Sequence, residues 1–169
     1  MSTKICETQT ARPALGSSTS PPGREASGEE ISAAFLCRPA RPKVMLVDDD
    51  KLNSFVIAEY LKSDGYRDLV YTTNPCDAVA LGHHMLPGLI LLDLNMPELG
   101  GLDVLRRLRA DEAFARSVIV VLTASHDEQL KSRAIDLGAA DFIYKGTDRE
   151  SLLARLRSAV LAAEQDQAG

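Results

Sequence analysis

A chain of 169 residues, 45% of them hydrophobic, holds enough apolar side chain for one domain with a buried core and some further chain. Its formal charge of -5 provides no field for gathering nucleic acid or an anionic membrane, so neither is expected as a partner. Cys6, Cys37 and Cys76 lack disulfide or metal-ligand spacing, no apolar run reaches the roughly 18 residues that span a bilayer, and no secretory signal is visible, so a cytoplasmic protein is expected.

Residues 1–41 read as a disordered tail, rich in Ser, Thr, Gly and Pro, as in Gly16-Ser17-Ser18-Thr19-Ser20-Pro21-Pro22-Gly23. Such a stretch cannot bury enough apolar area to offset the entropy of ordering it. Within it, Ser27-x-x-Glu30 followed by Ile31, Ala34 and Phe35 has the form of a capped amphipathic helix, marginal in isolation.

From Pro42 to Glu164 short apolar runs and amphipathic segments alternate five times. Val44–Val47 is a predicted strand, followed by a helix marked by Leu52, Phe55, Val56 and Tyr60 that stops at Gly65. Leu69–Tyr71 is the second strand, and Asn74-Pro75 supplies an N-cap and first-turn proline for the helix of Ala78, Val79 and Leu81. His83-His84 closes that helix near Pro87, where cationic side chains suit the C-terminal end. Leu89–Leu92 and a helix over Leu102–Arg109 come next, then the strand Val118–Leu122 and a helix capped by Ser125-x-x-Glu128 that runs to Gly138. The fifth pair is Phe142–Tyr144 and a helix capped by Thr147-x-x-Glu150, with Leu152, Leu153, Leu156 and Val160 facing inward. Residues 165–169 are expected as a short tail, with no output domain after them.

Continuously apolar strands imply burial on both faces, hence a parallel sheet between two layers of helices: a (βα)5 doubly wound, flavodoxin-like α/β domain. Its ligand site belongs at the carboxyl ends of the strands. Those ends carry Asp48-Asp49-Asp50, Asp93-Leu94-Asn95, Thr123 and Lys145. Carboxylates about 4 Å apart repel by about 4 kcal/mol at an effective dielectric near 20, so the cluster asks for a cation. Its hard oxygens suit Mg2+, which keeps part of its water and binds phosphate oxygens. Asp93 can then act as the nucleophile that forms an aspartyl-phosphate, with Lys145 and Thr123 supplying charge and a hydroxyl to the phosphoryl oxygens. Asp50 is the expected N-cap of the first helix.

On these motifs residues 43–163 resemble the receiver domains of bacterial two-component response regulators, in particular the single-domain chemotaxis receiver. The resemblance implies strand order 2-1-3-4-5, direct Mg2+ binding by Asp49, a water-mediated role for Asp48, a backbone carbonyl ligand from Asn95, and phosphorylation of Asp93. It further implies a sensor histidine kinase or phosphotransfer protein as donor, a switch through Thr123 and the aromatic Phe142, and a downstream protein on the face of helix 4, strand 5 and helix 5. Such a domain catalyses only its own phosphoryl transfer and dephosphorylation. Two departures stand out. Lys145 is followed by Gly146 where the family usually has proline, so a looser loop is expected to aim the lysine. The segment Met96-Pro97-Glu98-Leu99-Gly100-Gly101 also lacks an acidic residue that the family carries.

Alternatives differ in kind. A degenerate receiver would bind partners without phosphorylation. A haloacid-dehalogenase-type phosphatase needs a second acid where Asn95 stands, and a flavodoxin-like electron carrier needs a phosphate loop after the first strand that the sequence lacks.

Overall fold

The computed structural model describes residues 41–97 and 99–168. The chain divides between residues 38 and 39, and all described residues belong to the second unit. The Ser27–Cys37 segment, Cys6 and Cys37 lie outside them.

Among the described residues five strands and five α-helices alternate: β1 Val44–Val47, α1 Lys51–Ser63, β2 Leu69–Thr72, α2 Ala78–Met85, β3 Leu89–Asp93, α3 Gly101–Arg109, β4 Val118–Thr123, α4 Glu128–Asp136, β5 Asp141–Tyr144 and α5 Arg149–Ala168. The strands form one sheet in the order β2-β1-β3-β4-β5, and every neighbouring pair is parallel. Alternate side chains of each strand enter opposite faces. Val44, Leu46, Leu91, Val120, Leu122 and Ile143 meet Ile57 and Leu61 of α1 and Leu152, Leu153, Leu156 and Val160 of α5. Met45, Val47, Ile90, Leu92, Ile119, Val121 and Phe142 meet Ala78 of α2, Val104, Leu105 and Leu108 of α3, and Ala134 of α4.

Helix ends follow local chemistry. The Asp50 carboxylate accepts from the N–H groups of Leu52 and Asn53, as expected of an N-cap. Asn74 caps a 3-10 turn, Pro75–Asp77, that leads into α2. The cap of α4 is Asp127, whose carboxylate accepts from Gln129 and Leu130, whereas Ser125 accepts from the Asp127 N–H one turn earlier. Aspartate so placed also answers the positive end of the helix dipole. The short tail expected at residues 165–169 is helical through Ala168, since Gln165, Asp166, Gln167 and Ala168 bring no breaker before Gly169.

Three of the four residues that signalled α1 are not buried by it, and the fourth, Tyr60, is partly buried against the core. Ser54, Ile57, Ala58 and Leu61 face inward, while Leu52 is 78% exposed, Phe55 61% and Val56 43%. His83, in the last turn of α2, pairs with Asp111 at 2.8 Å and lies against the Phe114 ring. No helix among the described residues is long and apolar enough to cross a membrane.

Candidate functional site

Parallel pairing brings the ends of β1, β3, β4 and β5 to one edge, and four sequence-predicted residues converge there. Asp93 ends the central strand and is 2% exposed; Asp48 follows β1 at 4%; Thr123 ends β4 and is fully buried. Lys145 follows β5, its N–H donating to the Thr123 carbonyl at 2.9 Å. Its ammonium lies 2.6 Å from Asp93 Oδ2 and 2.9 Å from Asp48 Oδ2. Burial alone would pull Lys145 down, but hydrogen bonds and the charges of Asp93 and Asp48 outweigh it and hold the amine above the ordinary lysine value.

Lys145 is therefore aimed without a following proline. The Thr147 N–H donates to the Tyr144 carbonyl at 3.0 Å, closing a turn that fixes the lysine's root. Gly146 has neither a left-handed backbone nor a crowded α-carbon, so neither requires a glycine there. Gly101 is different: a β-carbon on it would overlap the Asp93 carbonyl and Leu94, and its N–H donates to the Leu94 carbonyl. That close approach seats the loop after β3 against the start of α3.

One carboxylate oxygen from each of Asp48, Asp49 and Asp93 lies within 4.8 Å of the others. Three carboxylates against one ammonium leave two negative charges, which matches a divalent cation, and an all-oxygen donor set suits a hard one. The carboxylates are not equivalent. Asp48 accepts from the Asp50 N–H at 3.0 Å, from the Asn53 amide and from Lys145, whereas Asp49 is exposed and lines a cleft of about 280 Å³ with Thr73, Asn74, Pro75 and Pro97. Asn53 was not singled out in the sequence; its place one turn into α1, on the side of the Asp48 carboxylate, was the available signal.

Asn95 does more than its expected backbone role. Its N–H donates to Asp93 Oδ1 at 3.0 Å and its side-chain amide to Thr123 Oγ1 at 3.2 Å. The resemblance implies that Phe142 turns inward on switching; in this structure the ring is already 3% exposed, in the core with Val121. The half-buried ring on the same face of β5 is Tyr144, edge-on to Phe142 with centroids 6.0 Å apart and stacked at 4.2 Å on His126. His126 and Tyr144 line a second cleft, of about 420 Å³, together with Thr123, Lys145 and Gly146.

An acidic cluster, an adjoining lysine and a buried threonine at the strand ends of such a sheet define a signalling receiver. The chain belongs to the response regulator receiver domain family, whose description matches residues 44–157. Among its curated relatives, the "DNA-binding dual master transcriptional regulator RpaA" of Synechocystis is 36% identical over 117 residues, which are 69% of this chain and 48% of that protein. The "DNA-binding response regulator MtrA" of Mycolicibacterium smegmatis is 31% identical over 128 residues, 76% of this chain and 54% of the relative. The crystal structure of the BeF3-activated N-terminal receiver domain of Klebsiella pneumoniae RstA is 31% identical, with a TM-score of 0.65, covering 70% of this chain and 97% of that one. The chain thus spans about half the length of the curated relatives it matches.

These relatives correct the expectation that nucleic acid is no partner, because RpaA and MtrA are named as DNA-binding regulators. Net charge described only the residues at hand, and a receiver's acidic balance says nothing about where its signal ends.

Proposed function

We propose that this receiver accepts a phosphoryl group on Asp93 from a phosphohistidine of a sensor kinase or phosphotransfer protein, and that the added charge alters its binding of a downstream partner. The observation that carries this reading is the Asp93 carboxylate at the end of the central strand, held by Lys145 at 2.6 Å with Asp48 and Asp49 beside it. A carboxylate oxygen of Asp93 attacks phosphorus, the P–N bond breaks, and its electron pair stays on the donor imidazole, giving an acyl phosphate. Asp49 with Asp48 and the Asn95 carbonyl would hold Mg2+, which supplies charge neutralisation at the phosphoryl oxygens when bound. Lys145 balances the charge on Asp93 and then on the phosphoryl group, and the Thr123 hydroxyl offers it a proton. Hydrolysis returns the carboxylate and inorganic phosphate.

About 1.5 to 2 negative charges then stand near the end of β4, and Thr123 responds to them. Phe142, already buried, repacks in place, and the surface of α4, β5 and α5 changes with it. The names of RpaA and MtrA, both DNA-binding regulators, support gene control as the process served. Incubation with acetyl phosphate and Mg2+ is predicted to add one phosphoryl mass, absent in Asp93→Asn. An adduct of unchanged yield in that variant, or none in the wild type, contradicts the assignment.

A further inference from the structure

Thr123 is fully buried, and its hydroxyl oxygen accepts two hydrogen bonds, from the Asn95 side-chain amide and from the Ser125 N–H, each at 3.2 Å. A hydroxyl has two acceptor lone pairs and one proton. With both lone pairs engaged only the proton remains, and among the described residues nothing accepts it. Asn95 is engaged at two points, because its main-chain N–H also donates to Asp93 Oδ1 at 3.0 Å. One exposed residue thus bridges the phosphoacceptor and a buried hydroxyl on the neighbouring strand.

We infer that Asn95 is a positioning residue that couples Asp93 to Thr123, its side-chain amide turning the Thr123 hydroxyl so that the proton is left for an acceptor arriving on Asp93. This deepens, and rests on, the phosphoacceptor reading. The oxygens of a phosphoryl group are strong acceptors, so a donor already oriented meets them without reorganising. Without the amide, the hydroxyl regains rotamers in which its proton points elsewhere. An amide turned the other way would instead accept that proton and withhold it.

Two measurements test the coupling. In the unphosphorylated protein, without Mg2+ or donor, the Asn95 side-chain NH2 resonances are expected to shift and their protons to exchange faster in Thr123→Val, which lacks the acceptor. Unchanged resonances overturn the inference. At saturating beryllofluoride and Mg2+, the change in amide exchange over residues 124–136 is compared in wild type, Asn95→Ala, Thr123→Ala and the double variant. Asn95 is exposed, so its replacement by alanine should fold. Asn95→Ala is expected to reduce the response about two- to tenfold, the population change that one net hydrogen bond corresponds to. The double variant is expected to lose no more than Thr123→Ala alone, whereas additive losses overturn the coupling. A wild type without any response contradicts the phosphoryl reading and the coupling with it, while the resonances separately decide whether the Asn95–Thr123 bond exists.

Discussion

At the scale of single residues, the two aspartates after β1 divide their work. Asp48 is buried and its oxygens already serve Lys145, Asn53 and the Asp50 N–H, whereas Asp49 is exposed beside a cleft. Replacing Asp49 with Ala is therefore predicted to reduce the Mg2+-induced rise in melting temperature more than the same change at Asp48. Asp48→Ala also leaves part-buried donors without their acceptor, which costs at most about 1–3 kcal/mol. Equal Mg2+-induced shifts in the two variants contradict the ordering. Tyr66 offers a separate test. It is fully buried, its hydroxyl meets no hydrogen-bond partner among the described residues, and its ring lies 4.9 Å from the Arg41 guanidinium. Burial first, outweighing the lowering by Arg41, raises its pKa above 10.0. The unfolded chain then loses the phenol proton before the folded one, so the folded state binds more protons and stability falls as pH rises above 10.0. In urea titrations Tyr66→Phe is predicted to lack that part of the alkaline loss. An identical alkaline slope in both proteins contradicts the assignment.

At the scale of elements, periodicity located the five α-helices and five strands of the described residues, but not the two 3-10 turns and not always the face or the cap. The spacing of Leu52, Phe55, Val56 and Tyr60 announced α1, yet the first three are solvent-facing and only Tyr60 packs partly on the core, because Ser54, Ile57, Ala58 and Leu61 form the inward stripe. A stripe holding a serine and an alanine is quieter in sequence than three large apolar residues beside it. Leu61→Ala is accordingly predicted to cost about 2–5 kcal/mol in denaturant unfolding, and Leu52→Ala to stay within about 0.5 kcal/mol. A reversed order contradicts the packing. Helix α5 behaved differently: Leu152, Leu153, Leu156 and Val160 are all buried as expected, while Leu161 is 52% exposed. The cap of α4 went to Asp127 rather than Ser125 because two acidic or hydroxylic residues lay within one turn, and only backbone geometry decides between them. Side-chain bridges such as those of Asn53 and Asn95 were invisible for a related reason. They depend on rotamers and on approach between separate elements, which residue type and spacing do not encode.

At the scale of the molecule, the parallel sheet converts distant sequence positions into one site. Asp48, Asp93, Thr123 and Lys145 meet because each stands at or just after the end of a strand that pairs in register with its neighbour, so their convergence was legible once the five strands had been recognised. The charge argument failed at this same scale, because a receiver transmits its state to partners whose own chemistry need not resemble it. The central claim is that negative charge on Asp93 reaches the α4–β5–α5 surface through the Thr123 hydroxyl. Amide exchange across residues 124–160, with and without beryllofluoride and Mg2+, tests it most directly when wild type and Thr123→Ala are compared. The account predicts altered protection in α4, β5 and the start of α5 in wild type and a much weaker change in Thr123→Ala. Equal changes in the two proteins, or none in wild type, would contradict it.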